Sequence, residues 1–182
     1  MPSTKITWRD VLEMPEDGKR YEAIGGELYV SPPPKLPHQW VSARLFAELY
    51  DLLVRPGYGQ VFHAPIGVEF PTEEGVQPDI LFVSKERLRI LREDGIEGPP
   101  DLVIEILSPG TARRDRTVKR YLYERQGVPE YWIVDLDAKQ VEVWHFAAGA
   151  KEAERYTDVL PVRLGGRPIG KIRLAKVFDW PR

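Results

Sequence analysis

Glu105 is a carboxylate in a segment whose other residues predict a buried strand. It lies in the run Pro100-Asp-Leu-Val-Ile-Glu-Ile-Leu-Ser108, and strand alternation places it on the same face as Val103 and Leu107. Burying an unpaired carboxylate is costly, so a cation, a metal ion or a proton has to compensate the charge. The pattern therefore predicts a functional site, with a structural ion pair to an arginine as the alternative.

Asp79 is a second carboxylate at the mouth of an apolar strand. It follows Pro78, which suits the first residue of a strand, and alternation places it on the face of Leu81 and Val83. Two carboxylates on neighbouring apolar strands can converge on one hard cation, because Mg²⁺ takes one or two carboxylates and completes its shell with water and substrate phosphate. We therefore expect Mg²⁺ or Mn²⁺ here. The alternative role for Asp79 is that of a strand-entry or turn residue.

The segment after the Glu105 strand has the apolar spacing of a helix, with Val118, Tyr121 and Leu122 as its packing stripe. Lys119 falls at the border of this stripe. From there its ammonium can lean over the strand ends and orient an attacking water or hold a phosphate oxygen, the alternative being a solvated lysine. The same helix carries the clearest basic patch of the chain, a candidate nucleic-acid contact: Arg113, Arg114, Arg116 and Arg120.

The elements that must position these side chains alternate between strands and helices. The predicted helices are Thr7–Met14, a long helix through Val41–Leu52, a short one at Lys85–Leu91, and one from a capping Thr111 to about Gln126. The predicted extended segments are the hairpin Arg20–Val30 around Gly25-Gly26, then 59–70, 76–83, Pro100–Ser108, and the pair Glu130–Asp135 and Gln140–Phe146. This order predicts an α/β protein with a mixed sheet flanked by helices.

Composition limits the possible chemistry. The 182 residues are 42% hydrophobic and 30% charged, so we expect one domain over residues 1–182. The absence of cysteine excludes disulfides, thiolate catalysis and Cys-ligated zinc, and three histidines are too few for a His-rich metal cage, so oxygen ligands must dominate any metal site. The formal net charge of −2 means that contact with nucleic acid has to rest on a local patch.

Other features of the sequence concern location and source. No apolar run is long enough to span a membrane, and the N-terminus lacks the pattern of a signal peptide, so we expect a cytoplasmic protein without a membrane partner. Seventeen prolines, no cysteine and many Arg and Glu residues resemble the composition of a thermophile's protein.

Several motifs together resemble one family, Uma2, formerly a domain of unknown function. They are Pro78-Asp79, Pro100–Thr111 with its Glu105, then Asp115, Lys119, Tyr123 and Gly127–Asp135, joined by the hairpin Tyr21–Glu27 and by His38-Gln39. The resemblance covers nearly the whole chain. Uma2 proteins are similar to restriction-endonuclease-like enzymes of the PD-(D/E)XK superfamily, so the resemblance implies that core, here with an N-terminal helix and β-hairpin.

The resemblance also implies roles for individual residues. Asp79 and Glu105 match the metal-binding acids, with the carbonyl of Ile106 as a further metal ligand. The superfamily's lysine belongs two residues after Glu105, where Leu107 stands, and the chain is similar to branches in which a lysine of the following helix, here Lys119, takes its place. Further candidates are Glu27 as an auxiliary metal ligand, and His38, Gln39, Ser108 and Tyr123 as cleft residues.

The function that follows is Mg²⁺- or Mn²⁺-dependent hydrolysis of phosphodiester bonds in nucleic acid, with DNA expected rather than RNA. A homodimer is expected, because enzymes of this fold often act as dimers and the partly apolar segment Ile172–Trp180 calls for a partner. Two alternatives stay open. Leu107 and the acidic net charge favour a catalytically silent binding or assembly module, and a hydrolase of small phosphate esters would use the same residues.

Overall fold

The protein is described from a computed structural model, which covers residues 5–181. The strands are β1 (Arg20–Ile24), β2 (Glu27–Ser31), β3 (Gly59–His63), β4 (Val68–Glu69), β5 (Gly75–Val76), β6 (Ile80–Ser84), β7 (Ile96–Glu97), β8 (Leu102–Ile106), β9 (Glu130–Asp135), β10 (Gln140–His145), β11 (Glu154–Tyr156), β12 (Val159–Leu164) and β13 (Arg167–Arg173). The α-helices are α1 (Trp8–Leu12), α2 (Leu36–Leu49), α3 (Ala112–Arg114), α4 (Arg120–Arg125) and α5 (Ala175–Phe178). Short 3₁₀ turns span Lys85–Ile90 and Phe146–Ala148, and π turns span Tyr50–Val54 and Asp115–Lys119.

A six-stranded sheet with the order β11-β10-β9-β8-β6-β3 forms the centre of the molecule. Strands β8 and β9 run parallel, and every other neighbouring pair in this sheet runs antiparallel. The predicted mixed sheet flanked by helices is therefore confirmed. The topology makes β6 and β8 direct neighbours, which brings together the two strands associated with Asp79 and Glu105.

A smaller five-stranded sheet, β2-β1-β5-β4-β7, lies at the N-terminal side and contains the predicted hairpin. Gly25 and Gly26 make its turn with positive φ angles of 63° and 83°, a conformation that glycine adopts without steric cost. Thr7 caps helix α1. The indole of Trp8 then packs so closely on β5 that a Cβ atom at Gly75 would lie 2.1 Å from it. The N-terminal helix and hairpin are thus present as predicted.

Two hydrophobic cores cover the two faces of the large sheet, as strand alternation requires. On one face, Val41, Leu45 and Leu49 of α2 pack against Ile104 and other buried residues of the sheet. On the opposite face, Val103 and Leu107 pack against α4 and the small sheet. They lie two residues before and two residues after Glu105, on the same face of the strand. Glu105 therefore belongs to the face that the segment Ala112–Arg125 covers.

The helical segment Ala112–Arg125 differs in two ways from the prediction. Thr111 does not cap it, because its Oγ1 lies 3.0 Å from the hydroxyl of Ser108. The buried stripe also runs through Lys119, which is 1% exposed, whereas Tyr121 is 60% exposed. The apolar spacing misplaced the stripe because the buried face of the segment carries polar side chains. Asp115 and Lys119 are buried there and pair with each other.

The C-terminal segment Ile172–Trp180 packs within the chain. Its apolar side chains belong to the core on the α2 side of the sheet; they are Ile172, Leu174, Val177 and Phe178. Trp180 stays 44% exposed, so the segment is buried only in part, and the homodimer stays a prediction. No helix within residues 5–181 has the length and apolar character that crossing a membrane requires.

Candidate active site

Asp79 and Glu105 face each other across β6 and β8. Ile80 pairs with Ile104 in the antiparallel register, so the next step along both strands sets Asp79 opposite Glu105. Both carboxylates are 2% exposed. The backbone N–H of Ile106 donates to Asp79 Oδ2 at 2.7 Å, which ties the entry of β6 to the end of β8.

Asp79 is held as a carboxylate by two further side chains. Arg20, the first residue of β1, donates from Nη2 to Oδ1 at 2.8 Å, and His38 in the first turn of α2 places Nε2 3.2 Å from Oδ2. Burial alone would raise the pKa of Asp79, but the hydrogen bond from His38, the charge of Arg20 and the N–H of Ile106 hold it well below its usual range. Asp79 is therefore ionised at neutral pH.

Glu105 has a different environment. Its Oε1 accepts hydrogen bonds from Lys119 Nζ at 2.8 Å and from the Tyr123 hydroxyl at 2.7 Å. Burial raises the pKa of Glu105 above its ordinary value; the charge of Lys119 opposes this shift and the charge of Asp79 reinforces it. Oε2 accepts no hydrogen bond from a residue in the described range 5–181. One oxygen of Glu105 thus stays available to a ligand.

Glu22 is the second carboxylate on Lys119, and the sequence analysis did not single it out. It comes from the middle of β1, is fully buried, and places Oε1 2.7 Å from Lys119 Nζ. The N–H of Gln77 donates to the same oxygen at 2.9 Å, while Oε2 has no hydrogen-bond partner and lies 3.8 Å from Arg114 Nη2. A signal existed in the sequence, because strand alternation places Glu22 on the same face as the apolar Ile24, and both are buried.

Asp115 completes the surroundings of Lys119. Its Oδ1 lies 3.9 Å from Lys119 Nζ and makes no hydrogen bond with the described residues. Burial raises the pKa of Asp115, partly opposed by the charge of Lys119. Burial would lower the pKa of Lys119 itself, but the charges of Glu105, Glu22 and Asp115 raise it above its ordinary value. Lys119 is therefore a charged ammonium inside the protein.

The pair Asp79 and Glu105 opens into a cavity of about 410 Å³, called here the catalytic cavity. Its wall includes Ile106, Ser108, Lys119 and the proline-rich strap Pro32–Pro34. His38 also lines it, and Tyr123 reaches Glu105 through its hydroxyl. Gln39 instead lines a neighbouring cavity of about 920 Å³, called here the side cavity.

Glu27 and the arginines are placed apart from this arrangement. Glu27 is exposed at the turn end of the hairpin, where Tyr29 donates to it, and it does not line the catalytic cavity. Arg114 does line the cavity, and Arg113 is exposed. The remaining two are engaged with carboxylates elsewhere: Arg116 with Asp135 and Glu142, and Arg120 with Glu124. The four arginines do not form one surface.

The donor set fits a hard divalent cation. Among residues 5–181 no three His, Cys, Asp or Glu side chains are arranged to hold a metal ion, so a bound cation would rest on Asp79 and Glu105 with backbone or substrate oxygens. The open Oε2 of Glu105 supports this. The local charge also favours a cation, because the carboxylates outnumber the cationic side chains by four to three. The carboxylates are Glu22, Asp79, Glu105 and Asp115, and the cationic side chains are Arg20, Arg114 and Lys119.

Comparison with known proteins agrees with this geometry. Residues 8–166 match the family model of Uma2, described as "Putative restriction endonuclease". Among solved structures, the chain is similar to "a putative nuclease belonging to DUF820" from Anabaena variabilis ATCC 29413, with 21% sequence identity, a TM-score of 0.77, and coverage of 95% of this chain and 97% of that one. This likeness confirms the expected fold. No curated protein matches the chain.

Proposed function

Because the chain belongs to the Uma2 family, whose model spans most of it, we propose that it is a divalent-metal-dependent nuclease that hydrolyses phosphodiester bonds, with DNA as its substrate. The observation that carries the proposal is the position of Lys119. Its ammonium is 2.8 Å from Glu105 Oε1, on the wall of a cavity that also contains Asp79. A buried cation beside a pair of acids on neighbouring strands is suited to binding a phosphodiester.

Asp79, Glu105 and the carbonyl of Ile106 would hold Mg²⁺ or Mn²⁺. When bound, such an ion supplies Lewis-acid polarisation of the phosphoryl oxygen and lowers the pKa of a coordinated water. The neighbouring side chains hold the two carboxylates in position even when no metal ion is bound. Arg20 and His38 hold Asp79, and Tyr123 holds Glu105.

Lys119 is proposed to orient the attacking water or to hold a non-bridging oxygen of the phosphate. Glu22 and Glu105 fix its ammonium from two sides, at 2.7 and 2.8 Å, so little reorganisation is needed when charge develops on the phosphate. Arg114, on the wall of the same cavity, is placed to contact a second phosphate oxygen.

This chain has Leu107 where the superfamily motif has its lysine, which leaves the role of that lysine to Lys119. Leu107 is 6% exposed, packs in the core between the large sheet and α4, and lines the catalytic cavity without supplying a charge there. The helical segment supplies the ammonium instead, fourteen positions after Glu105. This supports a lysine that has moved from the strand to the helix.

The test of the function is calorimetric titration of Mn²⁺ into the wild type, Asp79→Ala and Glu105→Ala, with circular dichroism to confirm folding. Glu27→Ala, which removes an exposed acid outside the cavity, is the matched control. We expect binding by the wild type and the control and none by the two site variants, followed by DNA cleavage that Lys119→Ala abolishes. A folded wild type that cleaves no nucleic acid with Mg²⁺ or Mn²⁺ would overturn the proposal.

A second candidate, a catalytically silent binding module, is favoured by one observation. Both acids already have protein partners: Arg20 and His38 bind Asp79, while Lys119 and Tyr123 bind one oxygen of Glu105. A site that is balanced in this way can persist as structure alone. Binding of nucleic acid that ignores both metal and the Asp79→Ala and Glu105→Ala substitutions would favour the module.

A further inference from the structure

The depth of the catalytic cavity restricts which phosphodiesters can reach it. Asp79, Glu105 and Lys119 are at most 2% exposed, so a scissile phosphate has to enter the cavity rather than rest on the surface. The cavity of about 410 Å³ has the volume of a sphere about 9 Å across. A B-form duplex is too wide to enter it, because its major groove alone is about 12 Å wide. It falls in the size range of pockets that bind small molecules.

An intact duplex is also too stiff to insert one phosphate. Double-stranded DNA bends smoothly only over lengths far greater than this cavity, and its neighbouring base pairs would meet the proline-rich strap Pro32–Pro34 first. An unpaired strand has no such restriction, because its backbone turns at each nucleotide.

The side cavity provides room for the flanking nucleotide. It shares Arg20, His38, Asp79 and the strap Pro32–Pro34 with the catalytic cavity, so the two spaces are contiguous at the acid that holds the metal. Its volume of about 920 Å³ is more than twice that of the catalytic cavity. A strand can therefore place its phosphate at Glu105 and the adjoining nucleoside on the other side of His38.

The wall of the side cavity has the chemistry that an unpaired base uses. Phe46 and His63 lie on it with ring centroids 5.0 Å apart, and every base has a π face that can stack on such rings. Gln39 is exposed on the same wall, where its amide offers both a donor and an acceptor to a base edge. The two rings would have no role toward a paired base, whose faces are covered by its neighbours in the stack.

We infer that the substrate is an unpaired nucleic-acid strand, either single-stranded or locally opened, with its scissile phosphate in the catalytic cavity and the adjoining base in the side cavity. This inference rests on the proposed function and names its substrate class. The ion pairs of Arg116 and Arg120 agree with it, because these two side chains are engaged with carboxylates of the chain rather than offered to a duplex.

The experiment compares a single-stranded DNA circle with a relaxed, covalently closed double-stranded circle of the same sequence, both in Mn²⁺, with Glu105→Ala as the blank. Opening a base pair costs a few kcal/mol, so we expect the double-stranded circle to be cut on the order of 100-fold more slowly. Equal rates on the two circles would overturn the inference and leave the nuclease proposal intact. A single-stranded RNA circle is a third substrate, and preferential cleavage of either single strand supports the inference.

If neither circle is cut, the nuclease proposal fails and binding decides the inference. Fluorescence anisotropy with a labelled single-stranded oligonucleotide and its duplex should then show preference for the single strand. Equal binding to both, or binding to neither, would overturn it.

Two variants test the side cavity. Phe46→Ala removes the stacking ring and should weaken single-strand binding on the order of 10-fold. Ser42→Trp fills the cavity from α2 without removing a core contact, and it decides the question if Phe46→Ala fails to fold. Tyr121→Ala, an exposed aromatic that lines neither cavity, is the control and should bind as the wild type does. Unchanged binding by Ser42→Trp would contradict the inference.

Discussion

Glu22 Oε1 lies 2.7 Å from Lys119 Nζ, and both side chains are buried. This contact connects the N-terminal hairpin to the helical segment Ala112–Arg125 over the ends of the central strands. It also means that the ammonium proposed to act on the phosphate is positioned by a residue to which the sequence analysis gave no chemical role.

Glu22→Gln should therefore impair catalysis without abolishing metal binding. The amide keeps the shape of the carboxylate but removes the charge that holds the ammonium, and groups that position a catalytic site typically account for about 10- to 100-fold in activity. We expect kcat to fall by that amount, with Mn²⁺ affinity from calorimetry nearly unchanged. Glu27→Gln, in the exposed part of the same hairpin, should behave as the wild type. Full activity of a folded Glu22→Gln protein would refute a positioning role.

Lys119→Met should destabilise the fold by about 3–5 kcal/mol, because it leaves buried carboxylates without their cation. Adding Glu22→Gln should then restore part of the loss, since one of those carboxylates becomes neutral. Urea unfolding of the two single variants and the double variant measures the coupling. Strictly additive losses would mean that Glu22 and Lys119 do not depend on each other.

Leu107→Lys should not rescue Lys119→Ala, although it places a lysine at the usual position of the superfamily motif. Leu107 lines the catalytic cavity but also packs in the core between the large sheet and α4, so a lysine there should cost the fold about 2–4 kcal/mol, and its ammonium would not take the position between Glu22 and Glu105 that Lys119 occupies. Thermal unfolding and DNA cleavage of the double variant check both statements. Recovered cleavage would show that the strand position is still usable.

Glu74 links the hairpin to α4 and should make stability depend on pH. Burial would raise its pKa, but hydrogen bonds from Arg125 and from the N–H of Gly25 lower it to about 2, below the ordinary 4.5. The depressed pKa contributes stability above the unfolded value, and this contribution is lost as pH falls from about 4.5 towards 2.

Glu74→Gln should therefore cost about 2 kcal/mol at pH 7, a value reduced because Arg125 is partly exposed to solvent. The difference in unfolding free energy between the wild type and the variant should shrink across that acid range. A difference that stays constant from neutral to acidic pH would contradict the assigned ion pair.

Local pattern was enough for much of the fold and for part of the candidate site. Apolar alternation in Leu102–Ile106 predicted the buried strand and the face on which Glu105 stands, and turn chemistry predicted the hairpin at Gly25-Gly26. Both signals are carried by neighbouring residues, so one strand or one turn contains all the information. The helical stripe was misplaced by contrast, because Asp115 and Lys119 on its buried face are polar and give no hydrophobic period.

The sequence by itself determined that two carboxylates stand in or next to apolar strands and that a helical segment carrying a lysine follows the second of them. Only the tertiary structure decided that Arg20 and Glu22 complete the cluster, that Glu27 does not, and that a narrow cavity encloses the acids. The physical reason is the range of the interactions. Burial of a strand face follows from its own alternation, whereas the partners of a buried charge come from distant segments that meet only when the sheet, the hairpin and the helices have packed.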